Sequence, residues 1–414
     1  MALDPEELKR RRQQRQAQRQ ANQRKLRLRL CLAAVAVIAC AIVILLVSRG
    51  SAGTKPPAST GGTVHTTQEP GAVTTIRIAA VGDVNITDRV VQAGTSVQDY
   101  NEMFLDVSHL LADPELTLMN LEGVLYGPPY GSSRSAPEAL LQALKKTGVD
   151  AVQIANSYSI HKGVSGLAST VSSLGAMGLE PLGAYESNEA FARSKGYTII
   201  NVCGIRIALV AFTKGMDGMA LPDGSEQCVN LLYTDYSSTY QNVDTEGINA
   251  VLAAAQKEKP DLTVAMLHWG SEFNDNISTS QNEICQLMLD GGVDAIIGTH
   301  SHYVQKMELD PQTGKFVAYS LGDFLGDGAR AGSEYSVILH LTVEKNNETG
   351  DTVISDYSYT PIFIVNEEEK PLRVLRLGSA IEAYEAGQVD RVSDTTYEAM
   401  KYALGRVEAR VTGK

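Results

Sequence analysis

Cysteine is scarce in this chain, with five in 414 residues. Cys31 and Cys40 fall in an apolar run near the N-terminus, which leaves Cys203, Cys228 and Cys285. Three is an odd number and their spacing matches no zinc pattern, so neither a disulfide framework nor a cysteine metal site can be read here. The thiols are expected to be mostly unpaired and buried. Nor does the composition lean toward disorder or collagen: 43% of residues are hydrophobic and 20% charged, as in ordinary globular proteins. At this length a large core can be buried, and one big α/β domain is the default once tail and linker are set aside.

Charge is missing altogether from Leu30 to Val47, LCLAAVAVIACAIVILLV. At about 1.5 Å per residue an 18-residue helix reaches roughly 27 Å, close to the hydrocarbon thickness of a bilayer. Residues 1–49 hold eleven Lys/Arg against three Asp/Glu, a net of +8; the whole chain carries −12, which leaves −20 for residues 50–414. Basic residues thus crowd the N-terminal side of the span, and the positive-inside rule predicts a cytoplasmic tail (1–29), a transmembrane helix (30–47) and an extracytoplasmic remainder. Because the basic tail adjoins a span, topology or anionic lipid explains it better than nucleic acid does, and no nucleic-acid role is expected. The run is long for a cleaved signal, and the apolar residues Ala41–Val47 after Cys40 argue against a lipoprotein. Residues 48–75, rich in Gly, Ser, Thr and Pro, predict a flexible tether in which His65 is incidental.

Beyond the tether, short runs of Val, Ile and Leu bounded by Gly, Asn or Asp alternate with longer helical stretches, which is α/β organisation. Strands are predicted at 76–81, 116–121, 151–154, 205–212, 262–267, 295–297, 316–320 and 337–343. Helices are predicted at 136–147, 166–177, 245–258 and 280–291. A hairpin joining 198–202 to 205–212 across Cys203-Gly204 makes mixed sheets the expectation. The main domain is placed at 76–360, and residues 361–414 carry weaker signals, set apart as a C-terminal extension.

Several of these strands end in polar side chains, and in open α/β sheets ligands gather at strand carboxyl ends. Gly82-Asp83, Asn120-Leu121-Glu122 and Ala155-Asn156 are each bland alone, since turns and caps account for such residues. His268-Trp269-Gly270-Ser271-Glu272 is sharper, with the only Trp of the chain beside a His, although a lone His at a strand end is usually structural. Gly298-Thr299-His300-Ser301-His302 places two imidazoles two residues apart, a spacing that points both the same way in an extended segment and predicts that both reach one point. Asp83, Glu122, His268, His300 and His302 together form the ligand mix of a Mn, Fe or Zn site, with enough donors for one or two ions.

In this order, and with Tyr319-Ser320-Leu321-Gly322-Asp323-Phe324 added, the motifs resemble the poly-γ-glutamate capsule synthesis protein family, a branch of the calcineurin-like metallophosphoesterases, over about 250 residues from Ile76 to Asp327. The resemblance implies a four-layer αββα sandwich with mixed sheets and a divalent-metal centre at the strand ends. It adds Asn156 to the ligands and sets Asn120, Glu272 and Asp323 around them. It further implies a role at the cell envelope in making or exporting an anionic polymer, alongside a membrane polyglutamate ligase.

Departures from the family pattern matter as much. Where relatives tend to read Asn-Asn-His and then Asp, this chain has Asn156-Ser157-Tyr158 and then His161, so Tyr158 and His161 become the candidates for proton transfer. A tyrosine titrates near pH 10 and is a poorer acid at neutral pH than an imidazole. Asp323 stands where the pattern has Asn. Three classes of function follow: an envelope protein of capsule synthesis with a metal-bearing pocket, an active metal-dependent phosphoesterase or related hydrolase, and a metal-free binding or scaffold module. The net −20 of the domain disfavours polyanionic ligands, whether polymer or phosphorylated substrate, unless cations intervene.

Overall fold

The computed structural model describes residues 72–413 apart from 98, 369 and 390. The basic tail, the apolar run 30–47 and most of the tether lie outside the described residues, as do Cys31, Cys40 and His65. Among the described residues no helix is long and apolar enough to cross a membrane.

Among the described residues fourteen strands run in chain order: β1 (Val73–Asn85), β2 (Leu116–Glu122), β3 (Ala151–Gln153), β4 (Glu180–Leu182), β5 (Tyr197–Val202), β6 (Ile205–Thr213), β7 (Leu262–His268), β8 (Ala295–Thr299), β9 (Met307–Leu309), β10 (Phe316–Ala318), β11 (Asp323–Leu325), β12 (Tyr335–Asn346), β13 (Thr352–Val365) and β14 (Arg373–Arg376). They form two mixed sheets. One has the order β14-β13-β12-β1-β2-β3-β4, with β11 also beside β1; the other runs β5-β6-β7-β8-β10-β9. Alternation along each strand sorts side chains between layers. Ile76, Ile78 and Ala80 of β1 meet Ile205, Ile207 and Leu209 of β6 in the core between the sheets. Val81 and Val84 face outward with Leu140, Leu144 and Leu167 from the helices Glu138–Lys146 and Gly163–Ala176. On the second sheet Ala208, Val210 and Phe212 pack with Ile248, Leu252, Ile284 and Met288 from the helices Thr245–Lys257 and Thr279–Asp290. Helices therefore cover the outer faces of two packed sheets.

All eight predicted strands and four predicted helices are present, with shifted ends. The β5–β6 hairpin turns at Cys203 and Gly204, both at positive φ (51° and 87°), as a two-residue turn matched to strand twist requires. Cys203 is exposed there, while Cys228 and Cys285 are buried, and all three thiols are free. Two boundaries move. Strand β1 begins at Val73, within the segment expected to be tether, because Val73–Thr75 pair with Glu344–Asn346 of β12. At the other end β13 runs through residue 360, and Leu375, Leu377, Met400, Ala403, Val407 and Val411 belong to the core between the sheets. Residues 361–413 thus complete the main core, whose side is closed by the helix Asp394–Thr412.

Candidate metal centre

Strand register delivers the site. In the first sheet Asp83 lies between Asn120 of β2 and Asp323 of β11, and Asn85 pairs with Glu122. In the second sheet Thr213, His268 and Thr299 align across β6, β7 and β8. Two glycines permit the close approach: a Cβ on Gly82 would sit 1.8 Å from the Gly322 carbonyl oxygen, and one on Gly298 would sit 1.9 Å from that of Tyr319.

Six acid and imidazole side chains gather in two buried groups, Glu122 with His268 and His300, and Asp83 with His302 and Asp323; within each group the donor atoms lie within 4.8 Å of one another. In the first, His268 Nε2 is 2.6 Å from Glu122 Oε1, and Nδ1 is 3.1 Å from the Thr213 hydroxyl. In the second, His302 Nδ1 is 2.8 Å from Asp323 Oδ1 and 3.8 Å from Asp83 Oδ2. The groups adjoin: Asp83 Oδ2 accepts the His300 backbone N–H at 3.0 Å, and the His268 and His300 ring centroids are 4.3 Å apart.

The two histidines of the Gly-x-His-x-His run do not converge on one point. His300 (φ 88°) and His302 (φ 59°) both adopt the left-handed conformation, which breaks the two-residue alternation of an extended segment and sends one imidazole to each group. Asp323, expected beside the site, joins the second group directly. Asn120 donates to Asp83 Oδ1 at 2.6 Å and accepts from Asn156 at 3.0 Å. Asn156, expected as a ligand, also donates to the Leu121 carbonyl, and its amide oxygen accepts the Tyr158 N–H, so its polar atoms are all engaged within the protein. Glu272 belongs to neither group and lines two cavities that open onto the site. Tyr158 lines the second of these, with His161 edge-on to its ring at 5.8 Å.

Burial dominates the electrostatics of the carboxyl groups and outweighs the nearby His302 charge. It raises Asp83 to about 7, reinforced by Glu122, and raises Glu122 and Asp323 as well. It holds His268 down to about 3 and lowers His300, so both are neutral imidazoles at pH 7. His302 departs from this: burial opposes its proton, yet the charge and hydrogen bond of Asp323 outweigh it and raise the group to about 10. Tyr158 is pushed up to about 12 by burial and then by Glu122, while burial lowers His161. His300 Nδ1 is buried with no hydrogen-bond partner. Three buried carboxylates, neutral imidazoles and an orphaned ring nitrogen fit divalent cations, whose charge would remove the penalty that raises these carboxyl groups.

Sequence reasoning missed Asn85, Thr213, Lys214, Arg134, Phe273 and Arg330. Asn85 bonds Asp323 at 2.9 Å, and its place two residues after Asp83 on one strand was a usable signal. Lys214 follows β6 as the ligands follow their strands, donates to the Gly270 carbonyl at 2.8 Å and lines the cavity of about 300 Å³ on the His300 side. Arg134, Phe273 and Arg330 line the cavity of about 480 Å³ on the His302 side, and no local pattern marks them.

Residues 77–328 match the model of the family described as bacterial capsule synthesis protein PGA_cap. A capsule biosynthesis protein CapA of Bacillus anthracis is 27% identical over 58% of this chain, and the match spans about half, 53%, of that protein. A probable polyglutamine synthesis accessory protein of Mycobacterium tuberculosis is 22% identical over 62% of this chain and 61% of its own length. Among solved structures, a calcineurin-like phosphoesterase of Bacillus subtilis superposes with a TM-score of 0.42 at 14% identity, covering 80% of this chain and 99% of that one.

Proposed function

This chain belongs to the bacterial capsule synthesis protein family PGA_cap, and from that premise we propose that it is a membrane-anchored, extracytoplasmic accessory protein of polyglutamate capsule synthesis that carries a divalent-metal centre. The observation that carries the metal is the pair of buried groups at the strand ends, where three carboxylates share one protonated imidazole, His302, and burial still raises all three. Asp83, His302 and Asp323 would hold one ion, and Glu122, His268 and His300 a second. Divalent ions held there would supply Lewis acidity at neutral pH. The protein's own contribution is orientation: Asn120 fixes Asp83, Thr213 fixes His268 and Asn85 fixes Asp323, each through a buried hydrogen bond. The anchor is the 30–47 run, and a membrane polyglutamate ligase is the proposed partner.

A hydrolase acting on a phosphorylated or amide-linked polymer is the second reading, favoured by the adjacency of the two groups through Asp83 and His300. Tyr158, with its hydroxyl at about 12, keeps its proton at neutral pH and serves as a hydrogen-bond donor rather than an efficient acid. Elemental analysis of the full-length chain tests the metal, beside His300→Ala and His302→Ala. Each single variant is expected to lose one of two ions and the double variant both; a parent free of metal after loading with manganese, iron or zinc would sink the proposal. Hydrolysis of an aryl phosphate on the same samples separates enzyme from accessory protein. Protease protection in intact cells tests the anchor and its orientation.

A further inference from the structure

Most arginines of the described residues are engaged. Among the described residues each reaches a carboxylate or makes a hydrogen-bond contact through its side chain, except Arg330. Arg134 makes a single long contact, 3.4 Å from Nη1 to the Ile86 carbonyl, as Arg376 does with the His109 ring. A shortage of acids is not the reason, since the chain has 48 Asp and Glu against 36 Lys and Arg. Arg134 and Arg330 line the same cavity of about 480 Å³, whose floor includes His302 and Asp323. They arrive from different loops, Arg134 after β2 and Arg330 after β11.

Each sits over an aromatic ring. The Arg134 guanidinium lies 4.2 Å from the centroid of the Tyr158 ring, and that of Arg330 lies 4.3 Å from the centroid of Phe273, which itself stacks on His302 at 4.9 Å. Stacking fixes a guanidinium in place while leaving its in-plane N–H donors free, and those donors match a planar oxyanion approaching edge-on. The backbone is strained on both sides of the cavity, with Arg134 at φ 60° and Phe273 at φ 54°. Non-glycine residues keep that conformation only where their surroundings enforce it, a pattern concentrated at ligand sites. The Arg134 loop is enforced by its hydrogen bonds from Val124 N–H to the Arg134 carbonyl (2.8 Å) and from Arg134 N–H to Gly131 (2.7 Å).

We propose that Arg134 and Arg330 form an oxyanion clamp over the Asp83–His302–Asp323 group, each receiving one carboxylate of a polyglutamate chain so that the chain lies across the metal centre. The clamp rests on the function proposed above for its choice of polymer, but not for its geometry. It also answers the difficulty posed by a domain of net −20, because the attraction for a polyanion is local to this cavity. Phosphoryl oxygens share the chemistry of carboxylates at a guanidinium fork, so the test carries both.

Binding of a fluorescent γ-glutamate oligomer to the full-length chain in detergent, read by anisotropy and challenged with inorganic phosphate, tests the clamp. Arg134→Gln, Arg330→Gln and Arg134→Lys are compared with the parent, with metal content and melting temperature measured on every sample. Each Gln variant is expected to weaken binding about tenfold or more, the loss of a charge-assisted contact, with metal content and melting unchanged. Arg134→Lys should restore only part of the loss, since an ammonium keeps the charge without the fork. If phosphate binds in the same arginine-dependent way and the oligomer does not, the clamp stands with a phosphoryl ligand and the polyglutamate reading falls. If the parent lacks metal but binds through both arginines, the metal reading falls and the clamp stands. Binding unchanged in both Gln variants, or a parent that binds neither probe, overturns the clamp.

Discussion

His302 and Asp323 show how one side chain sets the state of its neighbour. An imidazole titrates at 6.5 when exposed, and in the folded chain His302 keeps its proton to about 10 against its own burial, chiefly because Asp323 stands 2.8 Å away. The folded state then binds more protons than the unfolded one between those values. The resulting stability is complete below pH 6.5 and is lost as the pH climbs toward 10. Asp83, raised from 3.8 to about 7, lowers stability with rising pH in its own window, and the depressed His268 acts only below 6.5. Metal-stripped protein should therefore melt at a lower temperature at pH 9 than at pH 6.5, and Asp323→Asn should flatten the slope. A calorimetric scan in chelator checks both, and a parent whose melting point holds level across that range contradicts the assignment. Asp323 was legible through the family resemblance as a carboxylate beside the site, but its membership of the second group was not, because β11 is three residues long and its partner β1 lies some 240 positions earlier.

At the scale of elements, the centre depends on strands brought closer than any side chain allows. Gly298, next to last in β8, lies against Tyr319, and the Trp269 indole N–H donates to the Tyr319 carbonyl at 2.8 Å beside it. Gly298→Ala would force the β8 and β10 ends apart, at a cost of about 1–3 kcal/mol in stability, and would displace His300, which follows two residues later. Chemical denaturation should report that loss together with reduced metal content; a stable, fully loaded variant would show that the strands have slack. The predicted convergence of His300 and His302 failed for a reason that belongs to this scale as well. Sequence spacing assumes an extended backbone, while the β8 end curls through two left-handed residues and a serine whose hydroxyl donates to the Tyr303 carbonyl at 2.7 Å.

For the molecule as a whole, the segment after residue 360 is a wall of the core. Met400, Val407 and Val411 are at most 2% exposed and pack between the sheets with Leu375 and Leu377. Full burial of such side chains contributes about 1.5–3 kcal/mol each, so these three alone supply on the order of 5–9 kcal/mol, comparable with the roughly 5–15 kcal/mol that keeps a domain folded. Truncation after residue 360 is expected to give an aggregated or molten product, visible as loss of cooperative melting. A cooperative, metal-binding 1–360 fragment would show that the sheets close without that wall.

Periodicity and punctuation alone determined the α/β alternation, the eight strands and four helices, and the strand-end acids and imidazoles, because these follow from contacts between near neighbours in the chain. Family membership was legible for the same reason, as short motifs kept in order. Tertiary structure alone decided which histidine serves which group, that Asn156 bonds Asn120, Leu121 and Tyr158, and that two arginines from distant loops line one cavity. Those outcomes depend on register across two sheets and on loops whose conformation is imposed by what they pack against, and neither is encoded in the spacing of residues along the chain.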